Sequence, residues 1–445
     1  METLAALRSG KLAGSTRLDL SCGLKHFPEE IYDLADSLEI LNLSGNALAS
    51  LPYDLPRLHR LRVIFCSDNR FTHVPEVLGD CPQLDMVGFK ANRIAHLPAA
   101  ALPERLRWLI LTDNRLTALP TELGQRSRLQ KLMLAGNRLE RLPEELAALD
   151  KLELLRISAN RFEGLPDWLY TLPRLAWLAY AGNPCTDAFE AAALAQQAIA
   201  PIDWNELELQ HRLGEGASGV IYRAVRNRDG GQEQVAVKLF KGAVTSDGLP
   251  RSEKAACIAA GDHPNLIPVA GRVSAHPDDA RGLVLSLVAP EFVNLAEPPS
   301  LASCTRDIYP ENTRFTTDTA LSIARGIASA AAQMHARGIL HGDLYAHNIL
   351  WDGRGGCLLG DFGAASFVPQ GDPHQALALQ RIEVRAYACL LEELLERCEP
   401  ASGELLDRMW ELQRQCGSTS VAERPLFEEI VRILAKLVGE KILLI

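Results

Sequence analysis

The sequence predicts an α/β multidomain protein: a solenoid of short stacked strands followed by a separate domain of mixed strands and helices. Two observations predict it. First, an Asn returns about every 23 residues from Asn46 to Asn183, with apolar residues at fixed offsets before it. Second, that period stops near Cys185, and longer strand-like and helix-like runs take over, separated by polar turns. A length of 445 residues agrees with two or more domains.

Composition narrows the class. A hydrophobic content of 47% suffices for packed cores. The 46 basic and 56 acidic residues give a net charge of −10, and no basic block stands out, which argues against a nucleic-acid partner. Ten Cys are scattered without a C-x-x-C pair, the pattern of reduced cytoplasmic thiols. The opening residues lack the apolar core of a signal peptide, and no apolar run approaches the roughly 18 residues of a membrane span. The expectation is a cytoplasmic protein without a membrane span.

The first half repeats. The marker residues are Asn46, Asn69, Asn92, Asn114, Asn137, Asn160 and Asn183, with gaps of 23, 23, 22, 23, 23 and 23. Leu129, Leu132 and Leu134 lead to Asn137 and then Leu139; Leu106, Leu109 and Leu111 lead to Asn114 and then Leu116. An apolar-Pro pair follows each of the first six markers, from Leu51-Pro52 to Leu165-Pro166, and a degenerate earlier copy ends at Phe27-Pro28. A single coil of this kind cannot bury its own leucines, so stability is shared between stacked neighbours. The buried Asn satisfies backbone groups where the chain leaves the strand, and Pro suits a return path without ladder bonds. The pattern resembles a leucine-rich repeat horseshoe of about eight copies over residues 16–185, with residues 1–15 as its N-terminal cap.

Positions between the leucines face the concave side: Phe65, Gly88, Ile110, Met133, Arg156 and Ala179 at the central site, with Trp108 and Trp177 one site earlier. Aromatic residues there read as a docking surface for a protein partner or substrate; the other reading is a face covered by the chain's own second domain. Residues 186–200 read as a capping helix with Phe189, Leu194 and Ile199 available for burial, broken by Pro201. A capping helix and short linker thus occupy 186–203, and a second domain 204–445.

The second half carries polar motifs between apolar runs. Gly214, Gly216 and Gly219 form a G-x-G-x-x-G turn. Lys238 ends a V-A-V-K strand, and Glu253 opens the helical run EKAACIAA fifteen residues later. The stretch ILHGDLYAHNIL places Asp343 five residues before Asn348, and Asp361-Phe362-Gly363 begins thirteen residues after Asn348. An Asp can take a proton from an attacking hydroxyl. An Asn oxygen and a second carboxylate can hold a magnesium ion that grips nucleotide phosphates.

In this order and spacing the motifs resemble a protein kinase over about residues 207–438, which implies a bilobal α+β domain using ATP and Mg2+. The resemblance implies Asp343 as the base, Lys238 on the phosphates held by Glu253, and Asn348 and Asp361 on the metal. It places Gly214, Gly216 and Gly219 over the phosphates. Ile221, Ala236, Leu350 and Val288 then surround the adenine, with Leu285 behind it. The helix-length segment 317–336 leads into the catalytic loop. Residues 382–395 resemble the helix that anchors that loop, with Glu383 where Asp is usual, and Arg424 lies in the segment that closes the fold.

Four departures stand out. Gly342 replaces the Arg that often reads a phosphorylated activation loop. Tyr345 stands where serine/threonine kinases usually have Lys. Only 21 residues separate Asp361 from Glu383, without an A-P-E sequence, and Ser366 is the sole hydroxyl among them. Ser218 occupies the tip of the Gly-rich loop. The sequence supports a protein kinase, serine/threonine rather than tyrosine, with its substrate recruited by the repeats. A small-molecule phosphotransferase of the aminoglycoside or choline kinase type, or a non-catalytic scaffold, are the alternatives.

Overall fold

The structure is a computed structural model, and it describes all residues except 1, 196–198, 217, 229, 243, 246, 370, 400–401 and 444–445. The chain forms two compact units, residues 1–174 and 175–445.

The first unit opens with helix α1 (Glu2–Arg8), which buries Leu7. Seven strands follow, three residues each: β1 (Arg17–Asp19), β2 (Ile40–Asn42), β3 (Val63–Phe65), β4 (Met86–Gly88), β5 (Trp108–Ile110), β6 (Lys131–Met133) and β7 (Leu154–Arg156). They pair in parallel with the repeats in register, so that Leu109 lies beside Leu132 and Leu132 beside Leu155. These middle residues are all buried. Pro75, Pro98, Pro120 and Pro143 each sit at the N-cap of a short 3-10 turn that carries the chain back, the non-ladder path expected of proline.

The marker Asn residues form a ladder. Asn114 donates Nδ2 to Phe89 O of the preceding repeat at 2.8 Å and to Leu111 O of its own at 3.1 Å, while its Oδ1 accepts the Ile94 amide at 2.9 Å. Asn137 repeats the geometry one coil on, with Leu111 O, Leu134 O and the Leu116 amide. The Asn row is structural.

The second unit begins with the strand of the eighth repeat, β8 (Trp177–Ala179), and helix α2 (Pro184–Ala195). The helix buries Thr186, Glu190 and Ala193, whereas Phe189 and Leu194, expected as its buried residues, are only half-buried. The segment expected as a linker then folds as β9 (Pro201–Asp203), which pairs in parallel with β13 (Val269–Ser274). With β10 (Leu207–Glu215), β11 (Gly219–Arg228), β12 (Gly231–Phe240) and β14 (Gly282–Ser286) these make a six-stranded sheet in the order β10-β11-β12-β14-β13-β9. Ile202, Leu207, Ala224, Val235, Val237, Val273 and Val284 form one core beneath it. Helix α3 (Pro250–Ala260), with Pro in its first turn, leads from β12 toward β13.

The helical lobe follows. Helix α4 (Thr317–Ala336) is capped by the Thr316 hydroxyl, which accepts the Thr319 amide, and buries Ile323, Ile327 and Met334. Helix α5 (Pro373–Leu395) starts nine residues before the anchoring segment that the sequence suggested, because the Asp372 side chain caps it and Pro373 opens it. Helices α6 (Glu404–Cys416) and α7 (Phe427–Leu443) complete the lobe. Arg424 is buried and donates to the carbonyls of Ser418 and Arg381. Among the described residues no helix is long and apolar enough to cross a membrane.

Candidate functional site

Three elements of the sheet and one helix bring the upper half of the site together. Strands β10 and β11 meet at the Gly-rich turn, where the Gly216 amide donates to Gly219 O at 2.9 Å. A Cβ on Gly219 would lie 2.5 Å from Leu239 O, so only glycine allows the start of β11 to approach the end of β12 this closely. Ile221 pairs with Lys238 across β11 and β12. Lys238 is 8% exposed and forms an ion pair with Glu253 of α3, which is 2% exposed. Its ammonium is also 3.5 Å from Asp361 Oδ1.

The electrostatics are those of a buried ion pair with a third, half-exposed charge beside it. Burial works to lower the Lys238 pKa, but Asp361 and Glu253 outweigh it and hold the ammonium above its usual range. Burial, with Asp361 nearby, pushes the Glu253 carboxyl up. Desolvation acts to raise Asp361, yet Lys238, the Gly363 amide and His341 hold it below the usual carboxylate range. Asp361 therefore stays ionised, with φ of +51° and nearly half of its side chain open to solvent.

Short strands hold the lower half. β15 (Val293–Asn294) precedes α4, and beyond that helix come β16 (Ile339–Leu340), β17 (Ile349–Trp351), β18 (Cys357–Leu359) and β19 (Ser366–Phe367). β16 pairs with β19, and β17 with β18, so the loop bearing Asp343 and Asn348 hangs between paired strands. Asn348 Nδ2 donates to Asp343 O and to Asp343 Oδ2, both at 2.9 Å. That commits the amide nitrogen and leaves Oδ1 as the side chain's open acceptor. His341 Nε2 lies 2.8 Å from Gly360 O, tying the loop to the residue before Asp361.

The cleft is lined by Gly216, Gly219, Ile221, Lys238, Leu285 and Asp361 among others. Gly214, Ala236, Val288 and Leu350 are not in that lining: Ala236 is buried opposite Leu285 in the sheet, Val288 lies past the end of β14, and Leu350 sits on β17.

Three supports hold this loop; the motifs pointed to Glu383 on the anchoring helix and to neither of the others. Glu383, buried on α5, accepts the Gly342 amide at 2.6 Å and lies 2.7 Å from His335 Nε2. Its burial favours the neutral acid, but the His335 contact and the Gly342 amide hold its carboxyl below the usual range. His347, next to Asn348, meets Asp307 Oδ1 at 2.7 Å. Burial opposes its protonation, and Asp307 overcomes this to raise its pKa.

The third support is the eighth repeat. Trp177, expected on an open docking face, is 1% exposed. Its indole donates to Leu344 O at 3.1 Å and stacks on Tyr345 with ring centres 4.2 Å apart and planes 3° from parallel. Leu344 and Tyr345 of the chain itself cover it. Arg156, Ala179 and Gly88 are buried too, while Phe65, Trp108, Ile110 and Met133 remain half-exposed. A sequence signal existed: the last repeat reads WLAYAG where Lys131 and Met133 stand in an earlier one, and apolar residues on both faces of a strand indicate burial on both.

Comparison with known proteins agrees with this geometry. Residues 207–399 match the family described as protein tyrosine and serine/threonine kinase, and residues 104–162 match leucine rich repeat. The chain is 27% identical over 173 residues to cyclin-dependent kinase 2 of Caenorhabditis elegans, covering 38% of this chain and 44% of the relative. It is 34% identical over 120 residues to "Probable inactive serine/threonine-protein kinase roco10" of Dictyostelium discoideum, covering 26% of this chain and 4% of that protein. It is 31% identical over 123 residues to leucine-rich repeat and calponin homology domain-containing protein 1 of Mus musculus, covering 27% of this chain and 17% of the relative. In each case the match spans less than half of the relative's own length. The chain thus carries a leucine-rich repeat solenoid followed by a bilobal protein-kinase-like domain.

Proposed function

We propose that the protein is an ATP-dependent protein kinase, serine/threonine-directed, whose repeats recruit a protein substrate, and that it works in the cytoplasm. The observation that carries the reading is the assembled charge cluster: Lys238 paired with Glu253 and 3.5 Å from Asp361. An inert relic has no need to keep the Lys238–Glu253 pair buried beside a third, half-exposed charge, since an unpaired buried member of the pair costs several kcal/mol.

In this reading Lys238, oriented by Glu253, draws the nucleotide phosphates into place, and amides of the Gly-rich turn close over them. Asp361 and the open Oδ1 of Asn348 suit a hard cation by chemistry, an ionised carboxylate and a neutral oxygen, and are the residues that would hold Mg2+. The ion supplies neutralisation of phosphate charge when bound. Asp343, steadied by Asn348, aligns the acceptor hydroxyl and takes its proton. The hydroxyl oxygen forms the new bond to the γ-phosphorus as the bond to the departing ADP oxygen breaks. Positioning and electrostatics supply most of the rate. Phe65, Trp108, Ile110 and Met133 offer the substrate a half-exposed apolar strip on the concave face. The free thiols support a reducing compartment.

The test is incubation of the full chain with labelled ATP, magnesium and a protein mixture, followed by identification of the modified residues. Phosphoserine or phosphothreonine lost in Asp343→Asn supports the assignment. Label confined to small molecules, or turnover that survives both Asp343→Asn and Asp361→Asn, rejects it.

A further inference from the structure

We infer that the end of the repeat array is a built-in clamp on the phosphotransfer machinery: Trp177 and Tyr180 position the catalytic loop and its neighbour strand, and Glu190 positions the helix that carries Glu253. The inference deepens the kinase reading and rests on it.

The loop needs an organiser, because the usual chemical one has no place here. Ser366, the sole hydroxyl between Asp361 and Glu383, is fully buried and accepts the Tyr180 amide at 3.0 Å. A phosphate cannot enter without breaking that contact. Nor can residue 342 carry a phosphate-reading side chain. Gly342 has φ of +73°, and a Cβ there would lie 2.5 Å from Ala364 O and 2.8 Å from Leu178 O. The eighth repeat stands where such a side chain would leave the backbone.

What stands there makes directed contacts. Besides the Trp177 bond and stack, the Tyr180 hydroxyl donates to Phe367 O at 3.0 Å, on the strand that pairs with β16 just before the catalytic loop. Trp177 and Tyr180 thus grip the loop on one side and the segment after Asp361 on the other.

Helix α2 makes the second set of contacts, with α3. The Glu190 carboxylate is 1% exposed and accepts from the Gly182 amide at 2.7 Å, from the Thr186 hydroxyl at 2.8 Å and from the Ser252 hydroxyl at 2.7 Å. Arg251 Nε lies 3.7 Å away, and Arg251 Nη2 reaches Asp187 at 2.6 Å. Ser252 and Arg251 directly precede Glu253. A helix that merely closes a solenoid needs apolar cover; a buried carboxylate aimed at α3 is costly to leave unpaired and fixes one orientation of that helix. The clamp replaces a reversible phosphate switch with a permanent covalent neighbour, so the assembled site is the resting state.

The test uses full-length protein without and with phosphatase treatment. Trp177→Ala should lower kcat about tenfold with ATP affinity unchanged within about twofold, the signature of a misplaced acceptor site. Trp177→Phe, which keeps an aromatic ring over Tyr345, should recover most of the loss. Ser252→Ala combined with Arg251→Ala should raise the KM for ATP about fivefold, because Glu253 no longer holds Lys238 in one place. Amide hydrogen exchange should quicken over residues 339–350 in the first variant and over 250–260 in the last. Exchange reads the clamp whether or not phosphate is transferred, so a wild-type chain that transfers none, yet shows these changes, defeats the kinase reading and not the clamp. Folded variants with native exchange and native kcat overturn the inference. So does activity that falls on phosphatase treatment and returns on rephosphorylation. If Trp177→Ala does not fold, the Phe variant and the double variant decide by the same readouts.

Discussion

Asn114 and Asn348 are the same residue in two settings. In the repeat array Asn114 has both ends of its amide committed: Nδ2 to the Phe89 and Leu111 carbonyls, and Oδ1 to the Ile94 amide. In the kinase domain Asn348 commits Nδ2 to Asp343 and keeps Oδ1 open beside a cleft that also contains an ionised Asp361. A saturated polar side chain holds a fold. One that is firmly oriented yet retains spare capacity is prepared for something else. The contrast separates structural from chemical residues without reference to what they resemble.

The sharpest break of that contrast comes from the chemical side. Asp343→Asn should reduce kcat by about 10²–10⁴-fold, the range of a lost general base, while thermal stability stays near that of the parent. Steady-state kinetics with matched unfolding curves check it; a variant that loses stability and keeps its rate would reverse the assignment.

Asn114→Ala should do the opposite. It strips partners from at least two buried backbone groups, each worth about 1–3 kcal/mol. A loss of roughly 3 kcal/mol or more in denaturant unfolding is expected, with phosphotransfer to a small peptide unchanged at temperatures where the variant is folded. Stability within 1 kcal/mol of the parent, by the scale of surface substitutions, would mean that the ladder is dispensable.

A smaller effect sharpens the boundary between the classes, because His347 belongs to both loop and scaffold. Its pKa is raised above the ordinary 6.5 by Asp307 against the pull of burial. The charged pair therefore stabilises the fold fully below about 6.5 and loses that contribution as pH rises through the higher folded value. Asp307→Asn should remove this slope and return the His347 titration toward or below 6.5. Stability measured across that window, with the imidazole followed by NMR, decides; an unchanged slope would place the pH dependence elsewhere.

The smallest expected effect lies on the half-exposed strip of the array. Trp108→Ala removes a ring over which Lys131 Nζ sits at 4.3 Å and whose indole donates to Met133 at 3.4 Å. If the strip recruits substrate, the apparent KM for the physiological protein should rise about threefold with kcat unchanged. An equal loss toward a short peptide would show that Trp108 supports the repeat itself.

The sequence by itself determined the repeat, its Asn ladder and the order of the Gly-rich turn, the Lys238–Glu253 pair, the Asp343–Asn348 loop and Asp361. Those features depend on local periodicity and on residue types that one chemistry demands, and both survive without knowledge of the third dimension. It also predicted helix α4 from residue 317 to 336. The apolar WLAYAG run indicates a last repeat covered on both faces but not what covers it, and Trp108 and Trp177 taken singly look alike in a string of letters. Only the tertiary structure placed Trp177 on Tyr345, folded residues 201–203 into the sheet, and turned a capping helix into a support for Glu253. These contacts join residues more than sixty positions apart. Their geometry follows from how whole elements pack, which no local pattern encodes.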